Sequence, residues 1–284
     1  KIYYYFIIAI LFFSCKQDEV EPIIYDNNYG EGVYITSDQG ISFYNGSTIM
    51  NNIYNEVNNT LLVNPKKVKF GGEKGYIIDG DRIIIIDVNT FEHKGIISGF
   101  INPVDLEVIY GNRLFVVDKG DSRLKEVDLY SLDVMSTIET GDSTRPTFIV
   151  SNSIRSFVMN GGGAYDEIKD STVISVDYKD GVVSIAEIVG NILLADNPNS
   201  GVIFNDRLKV LCKGKYDPSG INNIESSFCD INQYTNKIYS INSLAGLYNA
   251  NNLINASSNG MCYFTASGGI YSIDPNNLNF NLVL

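Results

Sequence analysis

The chain has 284 residues, 44% of them hydrophobic, with 25 Gly, 19 Tyr and no Trp. Its formal net charge of −12 at pH 7 argues against a nucleic-acid-binding protein, because no basic stripe is present to release the counterions of phosphates. A chain of this length can bury a substantial core, and the acidic balance suits a solvated, secreted surface.

The N-terminus has the order of a bacterial lipoprotein signal. One cation and an apolar run of about 12 residues precede Cys15, and such a run is too short for an ordinary membrane span. We therefore predict a signal peptide over residues 1–14, lipidation at Cys15 and a flexible tether over residues 15–30. An uncleaved anchor or a buried strand is the alternative.

The residues after Cys15 bear on localisation. Residues 16–19 read Lys-Gln-Asp-Glu, which resembles the surface-export signal of Bacteroidetes lipoproteins. This resemblance implies a lipid-anchored protein of the outer membrane that is exposed at the cell surface. An ordinary polar tether is the alternative for these four residues.

Residues 31–284 are predicted to form one domain of short strands. The stretch 103–141 shows the pattern most clearly, with four apolar runs separated by Gly, Asn and Asp, which is typical of an antiparallel four-stranded meander. The third run of this stretch contains Val-Asp-Leu-Tyr. Similar runs recur at intervals of about 40–50 residues, with their aspartates at Asp87, Asp128, Asp177, Asp230 and Asp274.

A second marker opens each repeat, usually an Asn-Pro pair. Its positions are Asn64-Pro65, Asn102-Pro103, Arg145-Pro146, Asn197-Pro198 and, in the last unit, Asn249-Ala250. Two markers in phase predict an all-β fold, a β-propeller built from four-stranded antiparallel blades. Six units are recognisable.

The two ends of the repeat array are irregular. The first unit, from Gly32 to about residue 59, has no clear inner strand, and we predict that the C-terminal end supplies it. The last unit stops at Leu284 in an apolar run. Either the ring closes on six units or the sequence stops short of a seventh, and we favour the second interpretation because no closing segment follows.

Candidate binding residues lie on one predicted face. In a propeller the connections between second and third strands and the links between blades emerge together. The longest connections, 161–170 and 213–227, fall there, and long loops in compact folds often carry function. We predict ligand-binding residues at Asn102, Lys119, Arg145, Tyr165, Tyr216 and Asn249. Each asparagine has ordinary turn chemistry as its alternative, whereas Arg145 replaces the marker asparagine with a charge.

Signatures of catalysis are sparse, so we predict that the protein is not an enzyme and has no metal or cofactor. The single histidine, His93, is predicted in an outer turn, and no Cys–His spacing indicates a metal site. The glycine run 161–163 is interpreted as a flexible loop. Cys212 and Cys229 flank a long connection, and they are either a disulfide or two buried free thiols.

One repeat carries a family resemblance. The unit RLFVVDKGDSRLKEVDLYSLDVMSTIETG, followed by TRPTFIV, resembles the YncE-like family of secreted propellers. The lipoprotein start and the segment GVYITSDQGISFYNGS resemble the surface lipoproteins of that family in Bacteroidetes. The resemblance implies seven blades. It also implies a nutrient-capture role, since some relatives bind corrinoids and pass them to an outer-membrane transporter.

The sequence thus predicts a cell-surface lipoprotein propeller that binds without turnover. Its predicted partners are the lipid anchor, a small-molecule ligand, and an outer-membrane transporter or other protein. A calcium-dependent propeller hydrolase or lactonase is one alternative, and it would need carboxylates and asparagines around Ca²⁺ in the channel. A scaffold for protein–protein interaction is the other.

Overall fold

The structure is a computed structural model that describes residues 29–109, 112–141, 144–162, 170–177, 186–217, 219–256 and 259–284. The predicted signal peptide, the lipidation site Cys15, the tether up to residue 28 and Tyr165 lie outside these residues. The strands are β1 (Val33–Ser37), β2 (Gly40–Tyr44), β3 (Ile49–Met50), β4 (Pro65–Gly71), β5 (Lys74–Asp79), β6 (Arg82–Asp87), β7 (His93–Ile97), β8 (Pro103–Ile109), β9 (Arg113–Asp118), β10 (Arg123–Asp128), β11 (Val134–Glu139), β12 (Phe148–Ser151), β13 (Arg155–Met159), β14 (Thr172–Asp177), β15 (Glu187–Leu193), β16 (Pro198–Phe204), β17 (Arg207–Cys212), β18 (Ser227–Asn232), β19 (Ile238–Ser243), β20 (Asn251–Ala256), β21 (Met261–Ala266), β22 (Gly269–Ile273) and β23 (Phe280–Leu282).

These strands form six antiparallel sheets, each made of strands consecutive in sequence. Sheets two to six have four strands, starting with β4, β8, β12, β16 and β20, whereas sheet one has β1, β2 and β3 in the described residues. The inner strands of consecutive sheets pack beside each other from β4 to β20. The molecule is an all-β, six-bladed β-propeller with four-stranded blades, which confirms the predicted fold class.

The position of a strand within its blade explains its composition. Second and third strands such as β5, β6 and β9 are buried along almost their whole length, because both faces of the blade are covered by neighbouring blades. Their sequences are therefore nearly continuous apolar runs. Outer strands such as β11 and β19 alternate between inward and exposed residues.

Five apolar clusters join consecutive blades. The cluster between blades two and three contains Ile78, Ile83, Leu106 and Leu114, and equivalent clusters join blade one to two and each later pair up to five and six. No such cluster joins blade six to blade one within the described ranges. In agreement, Val33 on β1 is 55% exposed and Ile254 on β20 is 60% exposed.

Blade one differs from two of our expectations. It lacks an inner strand in the described residues, as predicted, but the C-terminal strand does not supply one: β23 pairs with β22 in blade six. The run TIMNNIY at residues 48–54 predicts a third strand in this unit, but the observed strand ends at Met50. The six-residue helix α1 (Ile53–Asn58) follows, and its Ile53 and Tyr54 are buried in the core between blades one and two.

One repeat marker was misaligned. The aspartate at the end of the third strand accepts backbone N–H groups of the following turn, as Asp87 does at 2.9 and 3.0 Å. In blade five this position belongs to Asn232, whose Oδ1 accepts two such bonds at 2.9 Å. Asp230 lies within the strand and instead pairs with Arg207 and Lys209.

Candidate functional site

Buried aspartates fix the links that surround the channel. Asp79 Oδ1 accepts the backbone N–H groups of Val63 and Asn64, both at 2.7 Å. Asp118, one blade further, accepts those of Ile101 and Asn102 at 2.8 Å. Burial alone would raise the pKa of Asp118, but the hydrogen bonds from Lys125 and from backbone N–H groups hold that pKa below its usual value. The inner strands therefore start from rigidly held links.

A cavity of about 410 Å³ opens where these inner strands begin, on the loop-rich face. Three lysines line it from three different blades: Lys67 on β4, Lys119 between β9 and β10, and Lys213 directly after β17. We call this cavity the channel mouth. Its other lining residues are Thr147, Phe148, Gly161, Gly162, Asn199, Ser200, Asn251 and Asn252.

Beneath Lys67 lies a network of charges within the channel. Lys67 Nζ is 2.9 Å from Asp105 Oδ1, and Lys69 Nζ is 3.2 Å from the same atom and 2.7 Å from Glu107. Asp105 is fully buried and also accepts the N–H of Ile149 at 3.1 Å. Burial lowers the pKa of Lys69, but the two carboxylates outweigh it and raise that pKa above its ordinary value. The ion pairs thus hold both ammonium groups in fixed positions.

The described lining of the channel mouth contains three lysines and no acidic residue. Lys67 is paired with Asp105, whereas the described part of the chain places no carboxylate within ion-pair distance of the Lys213 ammonium. This excess of cations contrasts with the net charge of −12 for the whole chain. A cavity lined by lysines and amides can bind an anion through charge-assisted hydrogen bonds.

Two glycines bring backbones together at the channel mouth. A Cβ on Gly161 would lie 2.1 Å from the carbonyl oxygen of Pro198, and one on Gly162 would lie 2.4 Å from that of Arg145. The N–H of Gly162 donates to the same Arg145 oxygen at 2.8 Å. The interpretation of this run as a flexible loop is therefore wrong for these two residues, because they are packed where no side chain fits.

A second cavity, of about 780 Å³, lies beside the first on the same face. The rings of Tyr216 and Tyr248 border it with their centroids 6.2 Å apart and their planes tilted by 53°. Asn249, Ser267 and Ile270 also line it, and none of the described residues that line it is charged. We call it the tyrosine cavity. Its remaining lining residues are Thr265, Ala266, Gly268 and Gly269.

The predicted site residues fall into separate groups. Lys119 lines the channel mouth, and Tyr216 and Asn249 meet in the tyrosine cavity. Asn102 is not among the residues that line either cavity, and its Oδ1 accepts from Lys66 Nζ at 2.7 Å. Arg145 is not among the residues that line either cavity, although its backbone contacts Gly162.

The lining residues that were not predicted include Lys67, Lys213 and Tyr248. Lys67 had a detectable signal, because Lys67 and Lys69 share one face of an inner strand. Lys213 stands at the start of a connection that we did predict, but the geometry of that connection could not be read from its composition. Tyr248 directly precedes the marker Asn249.

The other chemically active side chains lie elsewhere. His93 begins the outer strand β7, and its Nδ1 is 3.0 Å from the Tyr54 hydroxyl. Cys212 and Cys229 are buried free thiols with their sulfurs 3.6 Å apart, and Cys262 is also buried and free. Across the described ranges, His, Cys, Asp and Glu nowhere form a group of three or more suited to a metal. Within the same ranges no helix has the length and hydropathy to span a membrane.

Comparison with known proteins was informative at the level of fold. No family model matches the chain, and no curated protein matches it. Among solved structures, hydrazine synthase of Kuenenia stuttgartiensis is 14% identical with a TM-score of 0.65, over 77% of this chain and 65% of that one. A quinonprotein alcohol dehydrogenase-like protein of Bacteroides thetaiotaomicron is 15% identical with a TM-score of 0.63, over 88% and 62%.

A putative 6-phosphogluconolactonase of Bacteroides uniformis is 10% identical with a TM-score of 0.61, over 87% of this chain and 78% of that one. The chain spans about half to two thirds of the length of the first structures it matches. At these identities the similarity concerns the fold, and membership of the YncE-like family stays a prediction. The chain is similar in fold to β-propeller proteins whose names indicate different activities.

Proposed function

We propose that this protein captures a small anionic ligand at the channel mouth and does not turn it over. The observation that carries the proposal is the convergence of Lys67, Lys119 and Lys213 on one cavity whose described lining has no carboxylate. A volume of about 410 Å³ is in the range of small-molecule sites.

The frame around the lysines supports tight binding. Lys67 is held by Asp105, and the backbone of Lys213 is held by a hydrogen bond from its N–H to the Asn197 carbonyl at 2.8 Å. Because the strands fix these positions before the ligand arrives, little ordering entropy is lost on binding. The lysines, as point charges, suit carboxylate or phosphate groups without demanding one geometry.

The N-terminal sequence gives this proposal a cellular setting. A lipidated Cys15 would anchor the propeller at the outer membrane, exposed at the cell surface, where a captured nutrient passes to a transporter. The support is the lipoprotein-like signal and the resemblance to YncE-like surface proteins. Labelling of intact cells with a membrane-impermeant reagent tests the location, and loss of membrane association in Cys15→Ala tests the anchor.

Binding of citrate measured by isothermal titration calorimetry tests the proposal. We expect wild-type protein to bind citrate, and Lys213→Ala to weaken binding about tenfold, as for the loss of one charge-assisted hydrogen bond. Raising the salt from about 50 to 200 mM should weaken wild-type binding through screening. Lys94→Ala, on the outer strand β7, is the matched control and should bind like wild type.

Two outcomes would contradict the proposal. Equal affinities of wild type and Lys213→Ala would remove the channel mouth as the site. Loss of binding in EDTA, with hydrolysis of a lactone restored by Ca²⁺, would favour the calcium-dependent hydrolase instead.

A further inference from the structure

We infer that the channel mouth and the tyrosine cavity are two halves of one site for an acidic carbohydrate. A sugar ring would stack in the tyrosine cavity, and its carboxylate, or that of the neighbouring sugar, would meet the lysines. This inference rests on the proposed anion binding at the channel mouth and adds the class of the ligand.

The two cavities share a wall. Asn252 lines the channel mouth, and Thr265 lines the tyrosine cavity. The Nδ2 of Asn252 donates to Thr265 Oγ1 at 3.3 Å, so a single side-chain contact separates the two cavities at this point. The link into β20 continues the wall, with Asn249 on the tyrosine side and Asn251 on the channel side. A ligand about two sugar rings long could therefore contact both.

One short segment also serves both cavities. Residues 213–216 carry Lys213 into the channel mouth and Tyr216 into the tyrosine cavity. The segment is held by the N–H of Gly214, which donates to the Asp196 carbonyl at 3.0 Å, and by paired bonds between Lys215 and Ile224 at 2.9 and 2.8 Å. The cation and the ring therefore keep a fixed relation to each other.

The lining of the tyrosine cavity favours a sugar ring. A pyranose presents an apolar C–H face and a girdle of hydroxyl groups, which need an aromatic surface and neutral polar partners. Tyr216, 46% exposed, and Tyr248 supply the surface. Asn249 and Ser267 supply polar groups, and the Ser267 hydroxyl accepts the Tyr248 N–H at 2.9 Å, which fixes that tyrosine. An acidic sugar combines this ring with the anion that the lysines require.

Trigalacturonate, neutral galactotriose and citrate are the probes, each measured by calorimetry on the full chain. We expect wild-type protein to bind trigalacturonate more tightly than either other probe. Tyr216→Ala should weaken trigalacturonate about fivefold and leave citrate unchanged, whereas Lys213→Ala should weaken both. Tyr130→Ala, at an 81% exposed tyrosine of an outer turn, is the matched control and should change nothing.

Saturation-transfer NMR supplies a second readout that does not depend on affinity. We expect saturation transfer from the protein to the sugar-ring protons of trigalacturonate. The transfer should be smaller in the double variant that combines Tyr216→Ala with Tyr248→Phe than in the control Tyr130→Ala. Thermal unfolding confirms that each variant is folded.

The outcomes separate the two proposals. If Tyr216→Ala and Tyr248→Ala bind trigalacturonate like wild type while Lys213→Ala weakens both anions, the bipartite site is overturned and anion capture stands. Tighter, tyrosine-dependent binding of guanosine monophosphate than of trigalacturonate would overturn the carbohydrate class. Absence of binding by every anion would overturn anion capture itself.

Discussion

The channel mouth and the tyrosine cavity lie side by side on one face of the propeller, yet they are built from different chemistry. The channel mouth gathers residues from blades two to six and is lined by three lysines. The tyrosine cavity is formed by blades five and six, and the structure describes no charged residue in its lining. The first depends on the radial arrangement of the blades. The tyrosine cavity depends on the connection between β17 and β18, the connection between β21 and β22, and the link that precedes β20.

This difference shows which parts of a repeat fold form each kind of cavity. The inner strands and the connections beside them converge on the axis, so one lysine from each of three blades is enough to build a cationic cavity. A tyrosine cavity needs no convergence, because Tyr216 and Tyr248 are brought together by neighbouring loops. Variants that disturb the axis should therefore damage the channel mouth and spare the tyrosine cavity.

The largest effect is expected for Gly161→Ala. Its new Cβ would lie 2.1 Å from the Pro198 carbonyl oxygen, and because that atom is backbone it cannot swing away. We expect a loss of about 2–3 kcal/mol in the free energy of unfolding, as for overpacking, measured by urea denaturation, together with weaker citrate binding. Gly95→Ala is the control, since its nearest atom is the flexible end of Leu132 at 3.1 Å. Equal stability of both variants would contradict the close packing.

Asp105→Asn sharpens the comparison by changing charge without size. The loss of a buried carboxylate leaves Lys67 and Lys69 without their shared partner, and both lysines are partly exposed, so solvent limits the cost. We expect the free energy of unfolding to fall by about 1–2 kcal/mol. Citrate should bind more tightly, because the channel loses a negative charge. Tighter citrate binding without loss of stability would fit the anion site but not the ion-pair network.

Acid should weaken the blade that carries Lys119 through its neighbour Asp118. The pKa of Asp118 is held below its ordinary value of 3.8 in the folded protein, so its carboxylate stabilises the fold above that pH. The stabilisation is lost as the pH falls from about 4 through the lower folded pKa. Urea denaturation between pH 5 and 2 should show a steeper loss for wild type than for Asp118→Asn. Parallel curves would contradict this role of Asp118.

The smallest effect concerns the thiols beneath the two cavities. The hydrogen bond to Cys229 and burial raise the pKa of Cys212, and burial raises the pKa of Cys262 to about 11. We expect no reaction of these thiols with a disulfide reagent at pH 8 until urea unfolds the chain. Rapid labelling of the native protein would show that blades five and six open.

The fold could be predicted from the sequence because each repeat is recognisable from its local residue pattern. Turn residues and apolar runs mark every blade, and Asp128 with its equivalents sets the phase. The repeat also assigned the loops of Lys119, Tyr216 and Asn249 to one face, where these residues line the two cavities, and their role in binding stays a prediction. Their partners were not predictable, since Lys213 and Tyr248 meet their cavities through loop geometry.

The same limit explains the errors. Asp230 matched the repeated motif by composition while its true equivalent, Asn232, lay two residues further along the strand. Arg145 stood out as a charge at a marker position; its carbonyl packs against Gly162, and the binding role of its side chain stays a prediction. The sequence pattern of each repeat predicted which face carries the long loops. Contacts between blades, which the pattern does not specify, determine which side chains share a cavity.

The anomalous scattering of selenate soaked into crystals at low salt tests anion capture most directly. The account predicts a selenium peak inside the channel mouth, within hydrogen-bond distance of at least two of Lys67, Lys119 and Lys213, and its loss in Lys213→Ala crystals. Selenate peaks confined to other lysines, with the channel mouth occupied by water, would contradict it.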